Sequence, residues 1–357
     1  MTHTKTFLAA ALTGLMTLSS TAMAQDNSED GMMADPNKAN PFAFASSDAK
    51  STMLDEQMAA AEAAGDRVVG GEVAGDGAWP WQVALMVAGQ PTTPDAQFCG
   101  GSMVLDNWVL TAAHCVFMPD GNGGNFLLDP SQFDILVGTN TIADGAGERV
   151  AVAGVFRHPE YDPRLFNNDI ALIKLASTPT VSYQTINVPD SEFGEVIDQQ
   201  GIPTIVTGWG LVNGAKRTDV MMQAEIQILS REACNNAMME ARANFAAPRL
   251  VEAANVFQLD QSQTDEVWQE MLARAPLPLS PNMLCSGTFE GGKTSCQGDS
   301  GGPLVVPLDD GSYIQAGVVS WGLVGNGSTT CAEDAYFSVY TKASKFVPWL
   351  NQTISAN

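Results

Sequence analysis

KTSCQGDSGGPL, residues 293–304, sets Ser300 between an aspartate and two glycines. A serine hydroxyl is a weak nucleophile until a base takes its proton and donors receive the charge developing on the attacked oxygen. Gly298 and Gly301 leave the backbone free where a side chain would obstruct it, so the amides of Gly298 and Ser300 can aim at one point as an oxyanion hole. GDSGG also fits GxSxG, an elbow that needs a strand before the serine, a helix after it and a histidine downstream. Gly301, Gly302 and Pro303 do not readily open a helix, and no histidine follows Ser300: the three in the chain are His3, His114 and His158. The base therefore lies upstream.

Around this stretch stand RVVGG (67–71), WPWQVAL (79–85), CGGSMVLDNWVLTAAHC (99–115), NNDIALIKL (167–175), TGWG (207–210), NMLCSG (282–287), GVVSWG (317–322) and SVYTK (338–342). In this order and spacing they resemble the trypsin/chymotrypsin family of serine proteases over nearly all of residues 68–350. The resemblance implies an all-β fold: two six-stranded antiparallel Greek-key barrels with a C-terminal helix. Short runs rich in Val and Ile, broken by Gly, Pro, Asn and Asp, support the all-β class independently. They predict strands at 81–87, 102–111, 133–137, 150–156, 170–175, 205–208, 223–229, 304–306, 314–320 and 337–341. We place the first barrel at 68–185, the second at 186–340 and the closing helix at 342–355.

The same resemblance implies a catalytic set of His114, Asp169 and Ser300, with Gly298 and Ser300 as the oxyanion hole. A neutral imidazole suits a group that takes the serine proton and returns it to the leaving amine, because its ordinary pKa lies near working pH. Asp169 precedes the apolar run Ile170–Leu175, as expected of a carboxylate carried into the core to orient an imidazole. His158, in RHPEYDP, reads as structural. A second functional reading, a catalytically silent relative that binds a partner through the same fold, is countered by the presence of all three residues.

Residues 1–24 read as a secretory signal peptide: Lys5, an apolar run from Phe7 to Leu18, and Ala22-Met23-Ala24 as a cleavage site. The run is shorter than a membrane span, which needs about 18 apolar residues or more. The expectation is a secreted protein, extracellular or periplasmic, with no membrane partner. Residues 25–67 are acidic and poor in aromatic and β-branched side chains, so they cannot bury enough apolar surface to offset their ordering entropy. They read as a linker or as a propeptide. The second reading is the sharper, because Arg67 stands directly before Val68-Val69-Gly70-Gly71 and resembles the family's activation junction. Cutting there would free an ammonium on Val68 to pair with Asp299, by another protease or by the enzyme itself.

Six cysteines allow 15 pairings by count alone. The resemblance implies Cys99–Cys115, Cys234–Cys285 and Cys296–Cys331. No CxxC or HxxxH spacing suggests a metal. Asp144 and Glu148 lie where trypsin holds calcium, but Thr139 stands in place of a first glutamate, so no metal or cofactor is expected.

At the matched walls of the substrate pocket stand Thr294, Ser295, Ser320, Trp321, Gly322 and Ser338, with no carboxylate among them. Burying a substrate arginine there would leave its charge unpaired. Uncharged residues such as Leu, Met, Phe or smaller are therefore expected at the cleavage site. The long 321–330 segment and the nearby Glu333 and Asp334 leave an Arg- or Lys-specific pocket as the alternative. Between Cys234 and Cys285 an insertion, 235–281, predicts helices at 237–256 and 264–275, read as a lid, an exosite or a solvated surface loop. A net charge of −23 argues against nucleic-acid binding. Protein or peptide substrates and a monomer are the expected partners and state.

Overall fold

The computed structural model describes residues 46–47, 71–211, 217–288, 293–325 and 335–357. The predicted signal peptide, the junction Arg67–Val68, Cys331, Glu333 and Asp334 lie outside the described residues.

The first barrel is built from β1 (Gln82–Val87), β2 (Gln97–Leu105), β3 (Trp108–Thr111), β4 (Phe133–Val137), β5 (Glu148–Arg157) and β6 (Ala171–Leu175). They close in the order β6-β3-β2-β1-β4-β5, every pair antiparallel. Val83, Leu85, Met103, Val109, Ile135 and Leu172 are among the side chains that fill its core. The closure matters for the site because Ala171 pairs with Thr111. The chain leaving β3 toward His114 and the chain entering β6 from Asp169 therefore lie side by side.

The second barrel contains β7 (Pro203–Gly208), β8 (Met222–Ile228), β9 (Met283–Gly287), β10 (Pro303–Pro307), β11 (Tyr313–Gly325) and β12 (Ala335–Lys342). They run β11-β10-β7-β8-β9-β12, and pairing of β11 with β12 closes the ring. Among the described residues two short strands are added to this barrel: Glu72–Val73 pairs with β8, and Ser46–Ser47 runs parallel to Val324–Gly325.

Among the described residues five helices complete the order: α1 (Ala113–Val116), α2 (Ser191–Ile197), α3 (Arg231–Val256), α4 (Gln261–Arg274) and α5 (Val347–Ala356). Ser230 caps α3 by accepting the Ala233 amide, and Asp260 with Gln263 forms a reciprocal capping box on α4.

Three sequence expectations are corrected. The single strand 102–111 is a hairpin, because Asp106–Asn107 turns the chain between β2 and β3. The closing helix starts at Val347, after a 3-10 turn at Ala343–Phe346, where Pro348 suits the first helical turn. The long insertion helix begins at Arg231, ahead of Cys234, because the Ser230 cap starts it there. β9 had no counterpart among the predicted strands, its run being short and carrying Ser and Gly.

Candidate active site

Thr111 ends β3, and one turn of helix puts His114 against Asp169. The carboxylate has no solvent exposure. Oδ1 accepts the His114 backbone amide at 2.8 Å, and Oδ2 lies 2.7 Å from His114 Nδ1. Ser320 Oγ donates to Oδ2 at 2.5 Å, and Thr341 Oγ1 donates to the Asp169 carbonyl at 2.7 Å. A carboxylate can only accept, so Nδ1 carries the hydrogen and Nε2 is left as the acceptor.

The loop that delivers Asp169 is unusual. Phe166 and Asn168 have φ of 52° and 57°, a region costly for an aromatic residue. Asn168 is held there by donating to the Glu160 carbonyl at 2.9 Å and accepting from Asn282 Nδ2 at 2.8 Å. The Phe166 ring meets the His114 ring edge-on, centroids 5.8 Å apart. Neither contact was legible in the motif NNDIALIKL, beyond the tolerance of asparagine for this backbone region.

Ser300 reaches the same place from the second barrel. Its carbonyl accepts the Gly100 amide at 2.7 Å and lies 3.5 Å from Cys115 Sγ, which is itself 3.8 Å from His114 Nε2. Gly301, φ 81°, makes this approach possible, since a Cβ there would meet Thr111 Oγ1 at 2.2 Å and the Gly100 carbonyl at 2.6 Å. No hydrogen bond joins Nε2 to the Ser300 hydroxyl in this uncut chain. Gly298 has φ of 101°, and among the described residues neither its amide nor that of Ser300 has a protein acceptor. Two free donors two positions apart are suited to receive an oxyanion.

Asp299 faces the other way, into the second barrel. Its carboxylate accepts the Cys296 and Gly210 amides at 2.8 Å each. No cation among the described residues pairs with it. Burial therefore wins over those two bonds and pushes its pKa up to about 6. Beside it lies a cavity of about 60 Å³ lined in part by Gly71, Gly208, Gly210, Gln223 and Thr294. Gly71 follows the predicted junction by four positions in the sequence.

Of the six predicted pocket residues, three form one hydroxyl cluster. Ser295 Oγ donates to Ser338 Oγ at 2.6 Å, and Thr294 Oγ1 is also bonded to Ser338 Oγ. Gly322 pairs with Ser338 across β11 and β12. Trp321 is buried in a cluster with Ala237, Met238 and Ala241 of α3. Ser320, by contrast, turns its side chain onto Asp169. No carboxylate joins the hydroxyl cluster among the described residues.

Two expected disulfides are present, Cys99–Cys115 and Cys234–Cys285. Cys296 is disulfide-bonded too, and its expected partner Cys331 lies outside the described residues. The Cys99, His114 and Cys115 ligand-type atoms lie within 4.8 Å of one another, but the sulfurs are spent in their own bridge. Glu148 accepts from the Thr180 and Val181 amides and the Thr180 hydroxyl. His158 packs edge-on against Phe346 and Trp349, and burial holds its pKa down, as fits a joint between β5 and α5.

The family model described as Trypsin matches residues 68–350. The chain is similar to Trypsin of Xenopus laevis, 31% identical over 82% of this chain and 92% of that one. It is similar to Trypsin I-P1 of Gallus gallus, also 31% identical, over 82% of this chain and 91% of that one. It is 32% identical to Serine protease 56 of Homo sapiens over 82% of its length, a match that spans only 39% of the human protein.

Proposed function

The chain belongs to the trypsin family of serine proteases, hydrolases that act on peptide bonds, and from that premise we propose how it works and what releases it. Ser300 Oγ attacks the substrate carbonyl while His114 Nε2 takes its proton. The Gly298 and Ser300 amides receive the oxyanion, and the imidazolium returns the proton to the leaving amine. Water then repeats the sequence on the acyl-enzyme. Asp169 keeps Nδ1 protonated and steadies the imidazolium. The observation that carries this reading is the two-point grip of Asp169 on His114, backbone amide and ring nitrogen together, beside the Ser300 loop. Hydrogen bonds of this kind often close only when substrate binds, so the open Nε2 to hydroxyl step is consistent with it.

The protein is secreted and held as a precursor. Asp299 is a buried carboxylate without a cation, beside a cavity at the start of the described peptidase chain. Cutting after Arg67 supplies the missing charge as the Val68 ammonium. Leaving one member of such a buried pair alone costs on the order of 3–5 kcal/mol, enough to bias the adjoining oxyanion loop.

A neutral pocket of Thr294, Ser295 and Ser338 selects uncharged side chains, so a separate trypsin-like protease performs the activating cut. The products act as monomers on protein or peptide substrates. A nitrophenyl ester assay tests the mechanism. The cut chain gives a burst of one product per enzyme, and Ser300→Ala gives none. A cleavage profile on a peptide library then reads specificity: cuts after Leu, Met or Phe support the neutral pocket, and cuts after Arg or Lys, or self-processing at Arg67, overturn it.

A further inference from the structure

Gln97 opens β2 and is 1% exposed. Its side-chain amide is bonded at both ends. Nε2 donates to the Gly298 carbonyl at 2.6 Å and to the Cys99 carbonyl at 3.0 Å, while Oε1 accepts from Arg217 Nη1 at 3.2 Å. The same Arg217 nitrogen donates to the backbone carbonyl of Gln97 at 2.8 Å. The orientation of the amide follows from these partners, since turning it over would set Oε1 against two carbonyl oxygens and Nε2 against a guanidinium.

The bond to Gly298 crosses from the first barrel to the second and lands on a glycine at φ 101°. A Cβ built on Gly298 would lie 3.1 Å from Gly210 Cα and 3.3 Å from Gln97 Oε1. Glycine by itself leaves rotation about this residue wide open. The Gly298 N–H lies in the preceding peptide plane, whose Gln297 carbonyl accepts the Leu211 amide at 2.9 Å, so a buried donor on the Gly298 carbonyl holds the following plane and the two bonds together limit rotation about Gly298.

We propose that Gln97 is a positioning residue for the oxyanion hole. Its amide holds the Gly298 carbonyl so that the Gly298 N–H faces the reacting oxygen, and Arg217 braces Gln97 in that pose. Gln97 touches no substrate atom. The proposal rests on the reading of Gly298 and Ser300 given above and adds the group that holds their loop.

The test uses full-length chain cut after Arg67, as wild type, Gln97→Leu, Gln97→Glu, Arg217→Ala and Ser300→Ala. Each is assayed on one peptide amide substrate. A peptide aldehyde, which forms an oxyanion-bearing adduct with the serine, reports the hole, and the matching peptide acid reports ground-state binding. Gln97→Leu and Gln97→Glu should lose about tenfold or more in kcat and weaken the aldehyde by a similar factor, with KM and peptide-acid affinity within about twofold. Arg217→Ala should show a smaller loss of the same kind.

Unchanged kcat and aldehyde affinity overturn the proposal. So do shifts in KM and peptide-acid affinity that match the loss, since a general disturbance of the cleft would produce them. If the Gln97 variants do not fold, Arg217→Ala is judged by the same criteria. A wild type without activity would instead sink the reading of Ser300 itself, and the two failures are separable.

Discussion

Asp169→Asn keeps the shape of the side chain and turns one acceptor into a donor facing His114 Nδ1. The ring must then reverse its tautomer and present N–H to the Ser300 hydroxyl. Turnover should fall by about 10⁴ with little change in thermal stability, measured as kcat on a peptide amide and as Tm. Asp299 gives a second residue-scale prediction, in pH. Its folded pKa of about 6 lies above the ordinary 3.8, so the uncut folded chain binds more protons than the unfolded one between those values. Its contribution is fully present below the unfolded pKa and lost as pH rises through the folded one. The loss between pH 4 and 7 should be about 2 kcal/mol. Urea unfolding of uncut wild type against Asp299→Asn isolates it, because other carboxylates cancel in the difference. After cleavage beside Val68 the sign should reverse. His114, Asp169 and Ser300 were legible as candidates because each sits in its own short motif. Gln97 was not, because its partner Gly298 is 201 positions away, and Ser320 read as pocket wall although its hydroxyl faces Asp169.

At the scale of elements, the insertion shows what composition can and cannot reveal. Ala237, Met238 and Ala241 give α3 a narrow face that packs beside Trp321 and Phe337, behind the candidate pocket. Farther along, Ala243 and Ala247 pack with Trp268 of α4 as a separate small cluster. Helix was legible from the residue types, while its start depended on one capping serine. The stem of this hairpin is closed by Cys234–Cys285, a loop of sequence separation 51. Replacing both cysteines by alanine should cost about 4 kcal/mol by the loop-closure account. Chemical denaturation of the cut enzyme measures it, and a change under about 1 kcal/mol would mean the stem holds without its bridge.

For the molecule as a whole, the candidate site draws residues from both barrels. The first supplies His114 and Asp169 at the neighbouring ends of β3 and β6, and the second supplies the Ser300 loop and Ser320. The all-β class and most strands were legible because they alternate short apolar runs with turn residues. Barrel closure was legible only through the resemblance, since it depends on pairings such as Ala171 with Thr111 that no local pattern specifies. Nor did periodicity separate β2 from β3, where both flanking runs are apolar. The most direct measurement of the central claim is mass spectrometry after exposure to a serine-directed phosphonate. One adduct per chain, on the peptide carrying Ser300, should form in protein cut after Arg67 and should be nearly absent in uncut protein and in His114→Ala. Labelling at another serine, or equal labelling of Ser300 without His114, would contradict the account.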